Sequence, residues 1–189
     1  DVPINTYKEN FKAHISFIKV DKDSGEMDIA FQLRLPGVNF DLSHAGKGKS
    51  HGWFFFSCYN SEQANTLLEV NASQNDKDFI MAVNWKKAEE YIKAGKGKME
   101  KARYAHNTWD DETHTGKSVI KEEVLVLDAM AMKDVIYLMP CPKSPHGVDI
   151  DPTGEYIVGS GKLAALLPVF SFDKMVKAIG KKDFEGDYE

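Results

Sequence analysis

Among the residues of this chain that could carry chemistry, His146 has the most constrained setting. Pro145 fixes its own φ angle and disfavours the helical region for Ser144, while Gly147 leaves the backbone free to turn on the other side. We therefore expect Ser144 to be extended and His146 to lie on a short rigid corner at the entrance to a β-hairpin. One histidine does not make a metal site, because transition metals commonly take three or four protein ligands. The residues alone favour a structural role for this histidine.

The chain contains six histidines, and the other histidines are predicted to be structural or solvated. His14 opens a predicted strand, and His44 and His51 flank a basic turn. His106 and His114 fall in a charged segment, where metal binding would need a geometry that a flexible polar loop rarely supplies. The acidic residues of that segment are Asp110, Asp111 and Glu112.

The two cysteines, Cys58 and Cys141, lack the CxxC spacing of zinc and redox sites. Two cysteines alone do not indicate whether they pair. We expect both to be buried thiols, because a free cysteine packs as a small hydrophobic residue.

Two Gly-Lys sequences, at 48–50 and 161–162, raise the question of a phosphate-binding loop. Such a loop requires a glycine five residues before the second glycine of its motif, and this chain has Ser43 and Tyr156 at those positions. Both sequences therefore predict solvated turns.

Alternation of apolar and polar residues divides the chain into three similar stretches. The first is a hairpin with its turn at 22–25. The second contains the apolar run 53–59 and a later strand followed by a short helix, which Asn84 can cap. The third runs from Val135 to a second short helix. The predicted strands are Ile15–Val20, Trp53–Tyr59, Phe79–Val83, Val135–Met139, Tyr156–Gly159 and Val169–Phe172.

The third stretch resembles one blade of a β-propeller. Residues 151–154 have proline at the second position and glycine at the fourth, which is typical of a type I turn between two strands. Blades take about 40 to 45 residues and closure needs at least about four, so this chain supplies about three. We predict an all-β fold, a partial β-propeller of antiparallel blades with short helices between them. Residues 1–189 form a fragment of one propeller domain, and the charged segment 95–123 is a long solvated loop.

The composition gives no case for nucleic acid, because the net charge is -5 and the isoelectric point is about 5.7. The longest apolar runs, such as 162–172, fall short of the roughly 20 residues that a membrane helix needs. We therefore expect neither a nucleic-acid partner nor a membrane span. The chain begins at Asp1 with no signal-peptide pattern, so the N-terminus does not indicate a compartment.

The sequence 143–163 (KSPHGVDIDPTGEYIVGSGKL), taken with SCYNSE at 57–62 and FIMAVN at 79–84, resembles the propeller domain of nitrous oxide reductases. The resemblance extends from the N-terminal hairpin to Phe172 and corresponds to the middle of that propeller. The family's signal peptide, its remaining blades and its C-terminal cupredoxin domain, with a binuclear copper centre, have no counterpart in this chain.

The resemblance implies that His146 is a catalytic copper ligand. In that family a copper–sulfide cluster at the propeller hub is held by histidines from several blades, and the histidine of the family's Pro-His-Gly motif matches His146. The other cluster histidines lie outside this segment, so no further histidine of this chain is expected to bind copper. Asp41 matches a family acid near the cluster.

The resemblance also implies a calcium ion beside the hub. Carboxylate, carbonyl and other oxygen donors are the chemistry that calcium prefers. One position, two residues before the cluster histidine, departs from the asparagine of many relatives and is a serine here. The matching positions are Tyr59, Glu62, the backbone carbonyl near Val70, Asp76 and Ser144.

The activity implied by the resemblance is the two-electron reduction of nitrous oxide to dinitrogen and water, a periplasmic step of denitrification. The full-length protein would be a homodimer that receives electrons from a small cytochrome or cupredoxin, and the fragment alone would be inactive. The alternative is a non-catalytic, secreted β-propeller that serves as an interaction or surface-repeat module. The copper content of the full-length protein separates the two hypotheses.

Overall fold

The computed structural model describes residues 14–35, 39–59, 78–110, 115–132, 134–141 and 144–183. Over these residues the chain is all-β with two short α-helices, which confirms the predicted fold class. Single turns of 3-10 helix lie at Gly48–Ser50 and Ala129–Ala131. The strands are β1 (His14–Val20), β2 (Met27–Arg34), β3 (Asn39–Ala45), β4 (Trp53–Tyr59), β5 (Phe79–Asn84), β6 (Lys98–Asp110), β7 (Thr115–Asp128), β8 (Ile136–Pro140), β9 (Pro145–Ile150), β10 (Tyr156–Gly161) and β11 (Val169–Ser171), and the helices are α1 (Trp85–Lys93) and α2 (Phe172–Lys181).

The described residues form two compact units. The first contains those of 37–87 and 133–183, and the second contains those of 14–36 and 88–132. No helix in the described part of the chain is both long and apolar enough to cross a membrane.

The first unit consists of two antiparallel sheets with the strand orders β3-β4-β5-β8 and β9-β10-β11. Within each sheet, each strand pairs with the next strand of the same sheet along the chain, which is the up-and-down order of a propeller blade. The leading strands β3 and β9 are at the sheet edges, and β9 lies against β3 and β4. Two neighbouring blades would have this arrangement, while the number of blades stays a prediction.

The core of the first unit lies between its two sheets. Ile80 and Ala82 of β5 are fully buried and pack with Phe55 of β4. The second sheet and helix α2 cover them with Ile157 and Phe172, and full burial of each large apolar side chain contributes about 1.5–3 kcal/mol. This core fixes the faces of the sheets, and with them the position of the edge strands β3 and β9.

The second unit is a four-stranded sheet in the order β1-β2-β7-β6. Its buried cluster is formed by Ile29, Val124 and Val126. Phe17 and Phe31 stack across β1 and β2 with ring centroids 4.3 Å apart.

The predicted solvated loop at 95–123 is wrong, because most of this segment forms the long antiparallel hairpin β6–β7. The loop prediction relied on the charged composition. Directly after this segment, in the same strand β7, the alternate residues Val124 and Val126 are buried, the period of two that indicates a strand with one covered face.

The prediction of antiparallel pairing is correct for the described strand pairs with one exception. Strand β2 runs parallel to β7, with Gln32 opposite Val126 and Arg34 opposite Asp128. No local sequence pattern indicates a pairing between strands so far apart in the chain.

Predicted strand and helix bounds agree closely with the structure. The apolar run Trp53–Tyr59 is β4 as predicted. Asn84 caps α1 by accepting the Lys87 N–H at 3.1 Å. The prediction fails at Phe172, which begins α2 instead of ending β11, because the Ser171 hydroxyl accepts the Lys174 N–H at 3.2 Å and caps the helix.

The turn at Gly48–Ser50 is less solvated than predicted. The Lys49 N–H donates to the Thr153 carbonyl at 3.0 Å, so this turn docks on the turn between β9 and β10. Both turns have a glycine with positive φ at the contact, Gly48 at 52° and Gly154 at 77°. Ser50 is completely buried.

Candidate functional site

His146 lies in strand β9 at a β-bulge. Pro145 is opposite Gly161 and Gly147 is opposite Ser160, so His146 is the extra residue of its strand. A bulge of this kind bends the strand and redirects the extra side chain. The histidine is at the entrance to the β9–β10 hairpin as predicted, but the predicted corner is wrong, because the residue lies within strand β9 as its bulged, unpaired residue.

Ser144, which precedes this strand, is not extended as predicted. Its φ angle is 53°, and its side chain is almost fully buried. Proline disfavours only the right-handed helical region for the residue before it. The Ser144 N–H donates to Asp78 Oδ2 at 2.7 Å, and this charge-assisted hydrogen bond stabilises the left-handed conformation.

Asp41 lies at a second bulge, on the neighbouring strand β3. Phe40 is opposite Cys58 and Ser43 is opposite Phe56, so two residues, Asp41 and Leu42, share one position across from β4. The two predicted site residues therefore occupy the same kind of backbone irregularity on the two leading strands.

The structure brings these two predicted residues together. The Nε2 atom of His146 is 3.4 Å from Oδ2 of Asp41. The histidine side chain is 55% exposed and the aspartate side chain 29% exposed. The imidazole is thus accessible to a ligand while one of its nitrogens faces a carboxylate.

A second histidine–aspartate pair joins the same two strands. His44 Nδ1 is 2.8 Å from Asp149 Oδ1. Here β3 supplies the histidine and β9 the aspartate, the reverse of the first pair. Sequence reasoning treated His44 as a solvated loop residue, and that is wrong, because His44 belongs to β3.

Asp149 was not identified from the sequence at all. Its position three residues after His146 does not match the strand period of two, because the bulge shifts the alternation by one residue. A sequence pattern does not reveal such a shift.

The turn that follows β9 is closed by hydrogen bonds to the Asp151 side chain. Asp151 accepts hydrogen bonds from the Thr153 hydroxyl at 2.6 Å and from the Tyr156 N–H at 2.8 Å. These hydrogen bonds lower the pKa of the Asp151 carboxyl to about 2. The carboxylate is therefore ionised at neutral pH and holds the turn closed, as the type I turn prediction requires.

The predicted calcium positions are only partly within the described residues. Glu62, Val70 and Asp76 lie outside them, as does the side chain of Tyr59, the last residue of β4. The carboxylate that contacts Ser144 is Asp78, a buried residue that the sequence analysis did not single out. Asp78 directly precedes the buried strand β5, and this position was the sequence signal that could have identified it.

The other four histidines and the two cysteines lie on several different elements or outside the described residues. His51 is exposed and its ring meets Trp85 edge-on at 5.8 Å, while His14 begins β1. His106 is on β6, and His114 lies outside the described residues. Cys58 is buried and Cys141 half-buried, and the structure has no disulfide between them.

A complete metal site is not formed by the part of the chain that the structure describes. Within it, no three histidine, cysteine, aspartate or glutamate side chains come together in a way that could hold a metal ion. Any metal bound at His146 would therefore take its other ligands from elsewhere.

No protein-family model matches the chain. The chain is 28% identical over 155 residues to a nitrous-oxide reductase of Pseudomonas fluorescens. It is 27% identical over 157 residues to a nitrous-oxide reductase of Stutzerimonas stutzeri. Each match covers 81% of this chain and 21% of the relative, so the chain spans about a fifth of the length of the curated relatives it matches. These similarities support a distant relationship to proteins of that name.

Proposed function

We propose that this chain is part of the copper-binding propeller domain of a nitrous-oxide reductase, in which His146 is one ligand of a copper–sulfide cluster. The observation that carries the proposal is the contact of 3.4 Å between His146 Nε2 and Asp41 Oδ2 on two leading strands. The distant similarity to nitrous-oxide reductases is independent support.

The residues present fit one corner of a copper site. Imidazole nitrogen is a suitable ligand for copper, and metal-binding histidines usually present their second ring nitrogen to a carboxylate or carbonyl. With Nε2 facing Asp41, Nδ1 is the nitrogen that a metal would take. When bound, the cluster would supply electrons and a binding centre for nitrous oxide, in a reaction that forms dinitrogen and water.

The part played by this chain's own residues is to orient the imidazole. Asp41 holds the proton on Nε2 and restrains rotation of the ring, and the bulge on β9 sets the direction of the His146 side chain. The proposal includes a periplasmic homodimer, an electron donor such as a small cytochrome or cupredoxin, and a binuclear copper centre in a separate C-terminal domain.

The test is the His146→Ala variant of the complete protein. We expect nitrous-oxide consumption to fall at least about 100-fold and the cluster spectrum to change, because the cluster loses one residue that binds it directly. The spectrum of the binuclear centre should be retained. His51→Ala is the matched control, since His51 is exposed and contacts Trp85 instead of the site.

Full activity and an unaltered cluster spectrum in His146→Ala would refute the copper-ligand role. A wild-type complete protein that contains no copper would favour the non-catalytic propeller instead.

The calcium site is a further part of the proposal. Ser144 and Asp78 are in contact at 2.7 Å, and Asp78 is two residues along the chain from Asp76. We expect the Glu62→Ala/Asp76→Ala double variant to have less bound calcium and a lower melting temperature than wild type, because calcium prefers carboxylate donors. Asp23→Asn, in an exposed turn, is the control. Unchanged calcium per protein in the double variant would exclude this site.

A further inference from the structure

The bulges at Asp41 and at His146 are built in the same way. In each, two residues of the leading strand face one serine of the following strand: Asp41 and Leu42 face Ser57, and His146 and Gly147 face Ser160. The first of the two residues is in both cases the member of the Asp41–His146 pair.

The two serines make matching hydrogen bonds to the second bulge residue. Ser57 Oγ accepts the Leu42 N–H at 3.2 Å and donates to the Leu42 carbonyl at 3.3 Å. Ser160 Oγ accepts the Gly147 N–H at 2.8 Å and donates to the Gly147 carbonyl at 3.4 Å. The hydroxyl thereby satisfies both backbone groups that the irregular pairing displaces from the ladder.

The two bulges also contact each other. A Cβ atom at Gly147 would lie 3.3 Å from Ser160 Oγ and 3.6 Å from the Leu42 Cδ1 atom of the other bulge. Glycine at this position lets the serine hydroxyl and the neighbouring bulge approach the backbone closely. Serine suits both positions, because its short side chain carries a hydroxyl that can both donate and accept a hydrogen bond.

We propose that Ser57 and Ser160 are positioning residues, which hold the two bulges and so direct Asp41 and His146 towards each other. Neither serine is proposed as a metal ligand, since the hydroxyl of each bonds to the backbone of its bulge. The role of the serines in copper binding rests on the proposed function, but their role in directing the two side chains does not.

The first experiment needs no copper. Nuclear Overhauser contacts between the His146 ring and the Asp41 side chain are measured in the 189-residue chain, with the His44–Asp149 contact on the same two strands as an internal reference. In Ser160→Ala we expect the His146–Asp41 contact to weaken at least about twofold while the reference contact persists, because the bulge loses its fixing hydroxyl. Ser160→Thr retains the hydroxyl and should restore the contact. Ser43→Ala, at an exposed serine of β3, should have no effect.

An unchanged His146–Asp41 contact in Ser160→Ala would overturn the proposal. Parallel loss of both contacts would also overturn it, since the serine would then hold the strands together instead of directing one side chain.

The second experiment uses the complete protein. Ser160→Ala should alter the cluster spectrum and slow nitrous-oxide consumption, with recovery in Ser160→Thr and a normal melting temperature in both. An unaltered cluster spectrum in a Ser160→Ala variant that has lost the nuclear Overhauser contact would overturn the role of the serine at copper. Absence of copper from the wild-type protein would refute the proposed function. The first experiment would still test whether the serines direct Asp41 and His146 towards each other.

Discussion

The two ring nitrogens of His146 differ in what they face. Nε2 is 3.4 Å from the Asp41 carboxylate, which favours the tautomer with its proton on that nitrogen and leaves the lone pair on Nδ1. His44 has the opposite arrangement, with Nδ1 as the atom that faces a carboxylate. Two histidines on the same pair of strands therefore present different ring nitrogens to their aspartate partners.

Asp41→Asn should weaken copper retention by the complete protein about tenfold, because the amide does not hold the proton on Nε2 as a carboxylate does. The measurement is copper remaining per protein after exposure to a chelator. Asp149→Asn is the matched control, since Asp149 faces His44 on the same two strands. Equal losses in both variants would indicate a general effect of charge instead of an effect on His146.

The Asp151 carboxylate makes stability depend on pH in a defined window. Its pKa is lowered from 3.8 to about 2 in the folded chain, with the Thr153 hydroxyl as the first cause. A depressed folded-state pKa means that the stabilisation is present above pH 3.8 and is lost as the pH falls towards 2. Asp151→Asn should therefore make the free energy of unfolding less steeply dependent on pH in this window, as measured by urea denaturation. An equally steep dependence in the variant would contradict this assignment.

At the scale of elements, the contact between the turns at Gly48–Ser50 and 151–154 connects the end of strand β3 to the β9–β10 hairpin. A Cβ atom at Gly154 would lie 1.7 Å from the Lys47 carbonyl oxygen, and one at Gly48 would lie 2.1 Å from the Thr153 carbonyl oxygen. Lys49 strengthens the contact, because its Nζ atom is 3.2 Å from Glu155 and 2.5 Å from Asp173. At Gly48 and Gly154, no side chain larger than the hydrogen of glycine fits between the two turns.

Gly154→Ala should destabilise the chain by about 3 kcal/mol, because it combines a positive φ with a backbone clash. Gly25→Ala is the matched control, since Gly25 has a φ of 75° but no atom within 4 Å of an added Cβ. We expect about 1 kcal/mol for the control, from the φ angle alone. Denaturant titration of the two variants gives the difference, and equal losses would mean that the turns do not touch in solution.

Sequence reasoning identified the elements more completely than the site. Strands such as β4 and the helix cap at Asn84 follow from local patterns, because alternation and capping involve neighbouring residues. The bulges depend on pairing with another strand, so the position of Asp149 beside His44 had no local signal. The hairpin β6–β7 was missed for a related reason, since its polar composition resembles that of a loop.

At the scale of the whole molecule, one imidazole and one carboxylate are too few to hold a copper cluster. The described residues contain no third ligand near them. The isolated 189-residue chain should therefore neither assemble the cluster nor consume nitrous oxide, as checked by copper analysis after reconstitution with copper and sulfide. The complete protein, treated in the same way, is the control. Stoichiometric copper with a cluster spectrum in the isolated chain would contradict this expectation.

Cys141 lies directly after β8, with its N–H donating to the Asp78 carbonyl at 3.0 Å. Burial, together with the negative charge of Asp78, raises the pKa of its thiol from 9.0 to about 11. At neutral pH the nucleophilic thiolate is thus about a hundredfold scarcer than for an unperturbed thiol. Alkylation of Cys141 by iodoacetamide should be correspondingly slow in the native chain and rapid after unfolding.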